Sequence, residues 1–179
     1  MEDIIYTERL KLRKWIDADF IPFSAMNKDA DVMKYYPSLL NEEETAAMMK
    51  RINSHFEQYS FGVFAIEKIS TGEFIGYTGF MIPPFESFFT PCIEIGWRLK
   101  KVEWNKSYAT EAAKACLQYG FDTLQFQTVY SFTAVVNSAS ERVMNKVGMI
   151  KQGEFNHPNI APDNTLCRHV LYKIENKVL

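Results

Sequence analysis

The chain is poor in the residues that build metal centres, disulfide frameworks or membrane spans. Among its 179 residues only three are cysteines, Cys92, Cys116 and Cys167, widely spaced and odd in number. No CxxC pair and no Cys/His metal spacing accompanies them, which predicts reduced thiols and no metal in a cytoplasmic protein. The three histidines, His55, His157 and His169, are equally dispersed. No apolar run approaches the roughly 20 residues needed to cross a bilayer. The opening M-E-D-I-I-Y-T-E-R-L carries acidic residues and lacks the apolar stretch of a secretory leader. Charge of one sign is also missing: 20 basic residues face 22 acidic ones, for a net charge of -2. That balance, with no long Lys/Arg run, gives no general attraction to nucleic acid or to an anionic membrane. Repeats, low-complexity segments and linkers are absent, and the length fits one domain over residues 1–179.

What is present is apolar and rich in rings. Hydrophobic residues make up 47% of the chain and aromatic ones 15%, with 14 Phe and nine Tyr. Leu10–Arg13 alternates as a first strand. Residues 17–27 and 30–36 read as short helical pieces, the second ended by Pro37. Asn41 and Glu44 form a capping-box pattern before a helix that places Met48, Met49, Ile52, Phe56 and Tyr59 on roughly one face. His55 sits beside that face. Residues 61–68 and 73–82 are two strand patterns joined by a hairpin-type connection. Pro83 to Pro91 holds three prolines and three phenylalanines, a stiff loop whose rings either pack on the core or form a wall facing a ligand.

The densest signal runs from Ile93 to Ala113, I-E-I-G-W-R-L-K-K-V-E-W-N-K-S-Y-A-T-E-A-A. Ile93, Ile95, Trp97 and Leu99 fall on one face of the strand, Glu94, Gly96 and Arg98 on the other. A short polar loop follows, then an amphipathic helix with Ala109, Ala112, Ala113, Cys116, Leu117 and Phe121 on its apolar stripe. A helix that begins so directs unpaired N–H groups and the positive end of its dipole at what lies in front, which suits a phosphate. Within the loop Trp104-Asn105-Lys106-Ser107-Tyr108-Ala109, Ser107 and Ala109 are small, Lys106 brings charge, and Ser107 can cap the helix with its hydroxyl. Residues 128–136 form a β-branched and aromatic strand. A short helix, residues 138–146, follows with Asn137 at its N-cap and Gly148 closing it. Residues 149–155 and 167–174 are the last strands of a mixed α/β chain with hairpins and a crossover.

I-G-W-R-L…W-N-K-S-Y-A-T-E-A, a strand, then N-S-A-S-E-R-V-M-N-K-V-G-M resembles the GCN5-related N-acetyltransferases. With the opening T-E-R-L-K-L-R, Thr7 to Arg13, it is most similar to the ribosomal-protein N-acetyltransferase-like (RimJ/RimL-type) branch. The resemblance covers nearly the whole chain. It implies an α/β (α+β) fold of about seven strands with flanking helices, whose fourth and fifth strands, ending at Leu99 and spanning 128–136, are parallel but splayed. It implies acetyl-CoA in the wedge, its pantetheine arm along Trp97, Arg98 and Leu99 and its pyrophosphate on Trp104, Asn105, Lys106, Ser107, Tyr108 and Ala109. Asn137 matches the position that holds the arm, and Ser140 the position near the thioester sulfur. Asn105 and Ser107 stand where the branch has glycines, positions that call for positive φ. The family is often dimeric.

For catalysis, Glu94 is the candidate base, with pairing to Arg98 or Lys100 as the structural alternative. Ser140 is the candidate acid toward the departing sulfur, with Tyr108 and Tyr130 as alternatives. Freeing an α-amine at pH 7 costs roughly 1.4 kcal/mol and a lysine about 4.6, so an exposed carboxylate favours an α-amine acceptor. The expected activity is therefore acetyl transfer to a protein N-terminus. A small amine (a polyamine near the acidic Glu42-Glu43-Glu44, an amino sugar, an antibiotic) and a non-catalytic CoA-binding module are the alternatives.

Overall fold

The computed structural model describes residues 4–176; residues 1–3 of the opening segment and residues 177–179, the ends of the expected domain, lie outside the described residues. The strands are β1 (Ile5–Tyr6), β2 (Leu10–Arg13), β3 (Val63–Lys68), β4 (Phe74–Met81), β5 (Glu94–Leu99), β6 (Thr128–Ala134), β7 (Ile150–Asn156) and β8 (Arg168–Glu175). The helices are α1 (Phe20–Lys28), α2 (Glu42–Tyr59), α3 (Tyr108–Asp122) and α4 (Ser138–Lys146). All eight strands join one sheet in the order β1-β2-β3-β4-β5-β6-β8-β7, antiparallel except for the β5–β6 pair. The sheet has one strand more than expected, because the two-residue β1 is too short for alternation to reveal it.

Residues 30–36 were expected to be helical and are instead a series of turns. The Asp29 carboxylate accepts from the N–H groups of Asp31 and Val32 as a helix cap would, but after one bond from Met33 N–H to the Asp29 carbonyl the backbone closes three-residue turns, Lys34 to Asp31 and Tyr36 to Met33. The capping box forms as read: Asn41 accepts from Glu44 N–H at 2.9 Å, and Glu44 accepts from Asn41 N–H at 2.8 Å. On α2, Met49, Ile52 and Phe56 are buried, whereas Tyr59 at the end of that stripe is 40% exposed. His55 is a packed helix residue, with Nδ1 2.8 Å from the Phe61 carbonyl.

Side-chain alternation sorts the sheet into two faces. Ile95, Leu99, Phe80, Val129 and Tyr172 lie on the α3 side, within one core that includes Ala112, Ala113 and Cys116. The opposite face carries Tyr77, Glu94, Arg98, Tyr130 and Phe132 and is covered by α1 and by the Pro83–Pro91 loop. That loop folds its rings down: Phe89 is 9% exposed and packs on Tyr130, Phe132 and Phe155, while Phe88 is 78% exposed. His157 and His169 belong to the same cluster, rings 5.0 Å apart, and burial holds both below the usual histidine pKa.

Two distant motifs meet at the start of α3. Glu111, in its first turn, accepts from the Thr7 hydroxyl at 2.6 Å, from Arg9 N–H at 3.1 Å and from Arg9 Nε at 2.7 Å. The Arg9 guanidinium also lies 4.4 Å from the centroid of the Tyr108 ring. Burial alone would raise the pKa of Glu111, but the Thr7 and Arg9 bonds more than offset it and hold the carboxyl low. This clamp fixes the helix N-terminus to β1–β2, and neither half of it shows its partner in the sequence.

Candidate active site

The β5–β6 ladder holds at one register position, Glu94 beside Tyr130, with Tyr130 N–H donating to the Ile93 carbonyl at 2.8 Å. Beyond it the strands part, and the rest of β5 is paired only with β4. Lys100 N–H bonds Ile75 on the β4 side, while the Ile93 carbonyl bonds toward β6. Backbone groups alternate along a strand, so those of Ile95, Trp97 and Leu99 face the wedge and those of Arg98 face β4. The Trp104 indole donates to the Leu99 carbonyl at 3.0 Å, which ties the end of the strand to the following loop. Trp97 and Leu99 can therefore offer backbone to a ligand in the wedge; the Arg98 backbone, grouped with theirs by resemblance, is turned away.

The loop adopts a conformation that glycine would favour at two positions. Asn105 has φ 61° and Ser107 φ 65°, both left-handed. Ser107 is the residue before α3 but makes no side-chain cap bond, contrary to expectation, because a left-handed N-cap aims its hydroxyl away from the helix N–H groups. The backbone N–H groups of Ser107, Tyr108, Ala109 and Thr110 have no hydrogen-bond partner among the described residues, leaving a set of donors at the positive end of the helix. The Lys106 ammonium is 3.0 Å from Glu103, which also holds Lys68 at 2.9 Å. The loop's cation is thus already partnered in the free protein.

Asn137 caps α4. Its Oδ1 accepts from Ser140 N–H at 3.3 Å, and its Nδ2 donates to the Thr133 hydroxyl at 2.9 Å. The Ser140 hydroxyl is half-buried and makes no hydrogen bond among the described residues. Gly148, with φ 88°, closes the helix as its sequence position required.

Glu94 was expected to be exposed and is not. Its apolar surroundings push the carboxyl up to about 8 by desolvation. The partners considered for it are engaged elsewhere: Lys100 binds Glu73 at 3.1 Å, and Arg98 Nη1 donates to Asn27 at 2.6 Å. Among the described residues no ion pair reaches Glu94. The group is a desolvated carboxyl beside the point where the two strands separate. Cys92 lies near it, and its thiol is pushed up to about 11 by burial and by the Glu94 charge. No three metal-ligating side chains come together among the described residues, and no helix is long and apolar enough to cross a membrane. Two shallow hollows, around Lys50 and Ser54 and around Phe20 and Asn53, lie on α2 away from the wedge.

The register reveals Tyr130 beside Glu94, a residue read from sequence only as an alternative acid. Arg9 and Glu111 lie within the T-E-R-L-K-L-R and Y-A-T-E-A motifs, and their mutual bond orients the helix end.

The chain is similar to known proteins over most of its length. The chain is 34% identical over 146 residues to the uncharacterized protein YkkB of Bacillus subtilis (strain 168), covering 81% of this chain and 84% of that one. It is 32% identical over 151 residues to the uncharacterized N-acetyltransferase YnaD of the same organism, covering 84% and 85%. An acetyltransferase (GNAT family) from Bacillus anthracis superposes with TM-score 0.80 at 29% identity over 97% of this chain and 99% of that one. Two more distant structures share the fold. One is a ribosomal L7/L12 alpha-N-protein acetyltransferase in complex with coenzyme A, with TM-score 0.80, 15% identity and coverage of 97% and 98%. The other is spermidine N-acetyltransferase from Vibrio cholerae in complex with CoA and spermine, with TM-score 0.76, 16% identity and coverage of 95% and 97%. The acetyltransferase (GNAT) domain profile matches residues 9–150, from β2 to the start of β7. That span takes in the wedge, the left-handed loop and α4, and this chain belongs to the GNAT family of acetyl-CoA-dependent N-acetyltransferases.

Proposed function

We propose that the enzyme acetylates a protein N-terminal α-amine by direct transfer from acetyl-CoA, as a member of the RimJ/RimL-type branch. The observation that carries this reading is Glu94, a desolvated carboxyl with no ion-pair partner whose pKa, about 8, matches that of an α-amine. A base so matched takes the proton that a neutral α-amine sheds on attacking the thioester carbonyl. A lysine acceptor, titrating near 10.4, would arrive almost wholly protonated. The Ser140 hydroxyl hydrogen-bonds the departing sulfur, and the proton that Glu94 took from the amine completes the free thiol of CoA. Backbone of Trp97 and Leu99 pairs with the pantetheine arm, and the N–H groups of Ser107, Tyr108, Ala109 and Thr110 receive the pyrophosphate. Asn105 and Lys106 flank that anion site. Asn137 reaches the pantetheine arm by exchanging one of its present bonds. Holding amine and thioester in attack geometry supplies up to about 7–11 kcal/mol of the barrier reduction.

The polyamine alternative rested on Glu42, Glu43 and Glu44. Glu42 is paired with Lys28 at 2.6 Å and Glu44 closes the capping box, so two of the three carboxylates are already committed. A thermal-shift titration with acetyl-CoA, followed by thiol release across peptide N-termini, polyamines and amino sugars, tests the assignment. We expect stabilisation by acetyl-CoA and turnover highest on peptides. Turnover confined to polyamines or sugars would refute the acceptor, and stabilisation without turnover would refute catalysis. The family's dimeric habit is an expectation for the oligomeric state, checked by light scattering.

A further inference from the structure

Two residues beyond Gly96 on the Glu94 face of β5 stands Arg98, only 7% exposed. Its Nη1 donates to the Asn27 side-chain oxygen at 2.6 Å, and its guanidinium carbon lies 3.9 Å from the Tyr36 ring centroid and 5.2 Å from that of Tyr77. Its Nε has no hydrogen-bond partner, and among the described residues no carboxylate lies within ion-pair distance. The other buried arginine is treated differently: Arg13 binds Asp19 and Glu67. A buried guanidinium that has lost its water and gained only neutral partners is left with an unmet demand for negative charge. Asn27 and the hydroxyls of Tyr36 and Tyr77 satisfy part of the N–H edge, and Nε is the donor left unmet, on the edge that recognises a carboxylate.

The floor between Glu94 and Arg98 is open at Gly96, where a Cβ would meet nothing within 4 Å; at its cross-strand neighbour Gly79 a Cβ would meet the Gly62 carbonyl, just before β3, at 2.3 Å, so the space lies over β5. Tyr130 and Met81 neighbour Glu94 at one end of this floor, and Tyr77 neighbours Arg98 at the other. Four residues of strand separate the two ends by about 13 Å at the Cα atoms, and side chains can shorten that gap.

We propose that Arg98 is an acceptor-binding residue that selects amines carrying a carboxylate, anchoring the carboxylate while the amine lies beside Glu94. The proposal rests on Glu94 marking the acceptor side, as in the function assigned above, and narrows the substrate class. The carboxylate has two possible sources: an acidic side chain close behind a peptide's N-terminus, or the free carboxylate of an ω-amino acid.

Steady-state kcat/KM on matched acid and amide pairs tests it: a peptide with Glu against Gln at its second position, and an ω-amino acid against its carboxamide. The wild-type enzyme is expected to prefer the acid by about tenfold or more in one pair, which identifies the source. Arg98→Gln removes the cation. Asn27→Asp leaves it in place but offers it an internal carboxylate, so the test stands even if the first variant does not fold. In either folded variant the acid-to-amide ratio should fall to about 2 or less. Turnover of both members of each pair at equal efficiency by the wild type would overturn this inference and leave the acetyltransferase assignment intact. A preference that persists in the variants would overturn the role of Arg98. Absence of turnover on every amine would remove the catalytic assignment and this inference with it.

Discussion

Replacing Glu94 with Gln keeps the shape of the side chain and removes its titration, and the consequences can be worked from its surroundings. Desolvation raises the carboxyl from an ordinary value of 4.5 to about 8. The folded protein therefore holds the proton more tightly than the unfolded chain, and stability falls as pH rises from about 4.5 through 8. Below that window the carboxyl is neutral in both states and costs nothing. By linkage, the wild type should lose about 2.5 kcal/mol relative to the Gln variant between pH 5 and pH 7, and about 1.4 more by pH 9. Urea denaturation of both proteins at the three pH values reads this directly. Activity should move oppositely. At pH 7 only about one-eleventh of a group with this pKa is ionised, so kcat/KM of the wild type should rise nearly two orders of magnitude from pH 6 to a plateau near pH 9. An acceptor whose amine titrates well below 6 removes the substrate's own ionisation from that profile. With it, the Gln variant should lose about 10²-fold or more at the plateau and show a flat profile. Parallel stability curves for the two proteins would show that Glu94 is solvated and that the reasoning from desolvation is wrong. A sloped activity profile in the variant would show that some other group is the base.

Ser107→Gly relieves a left-handed non-glycine residue, worth about 1–2 kcal/mol, against about 0.5–1 lost to the greater freedom of the unfolded chain. Since no cap bond is lost, calorimetry should show unchanged or slightly higher stability and tighter acetyl-CoA binding; a clear loss of both would refute it. Asn105→Gly should gain less, because asparagine tolerates that conformation. Asn137→Ala removes the α4 cap and the bond to Thr133, costing about 1 kcal/mol by chemical denaturation, and weakens acetyl-CoA binding; unchanged affinity would remove Asn137 from the site. Arg9→Ala removes the guanidinium and leaves Glu111 held by the Thr7 hydroxyl and the backbone N–H of residue 9, its charge no longer offset, in the first turn of α3. Acetyl-CoA titrations should show affinity falling several-fold, more at low salt than at high salt, and a salt-independent loss would contradict the electrostatic account.

The elements that carry the site were legible because their periodicities are strong and their ends are marked. α3 and β6 begin at or within one residue of where the stripe and the β-branched run place them, and α4 ends where Gly148 takes φ 88°. Residues 30–36 carry a helix-like apolar spacing and a capping Asp29, yet after the first turn their N–H groups bond carbonyls only three residues back, and Pro37 leaves no room for a regular helix to develop. Glu94 illustrates a deeper limit. Alternation places it on the face with Gly96 and Arg98, but its desolvation depends on what the Pro83–Pro91 loop and α1 bring over that face, and those contacts join residues far apart in the chain. The same holds for Arg98, whose neutral partners Asn27, Tyr36 and Tyr77 come from three separate segments.

The loop proposed to receive the pyrophosphate shows how a departure from a family pattern can be absorbed. Asn105 and Ser107 keep the left-handed geometry that glycine would adopt without cost, and the N–H groups from Ser107 to Thr110 have no partner among the described residues. Strain of about 1–2 kcal/mol per residue is tolerable only if surrounding contacts hold the loop in place. Those contacts are present: Trp104 is tied to the Leu99 carbonyl, Lys106 to Glu103, and the helix behind them to Thr7 and Arg9 through Glu111. The substitutions change the cost of forming the loop and leave its backbone geometry in place. Cutting one of those ties should therefore weaken acetyl-CoA binding more in this enzyme than in its own Asn105→Gly, Ser107→Gly background, where the loop no longer needs to be held. Equal losses in both backgrounds would mean that the ties act on the ligand and not on the loop.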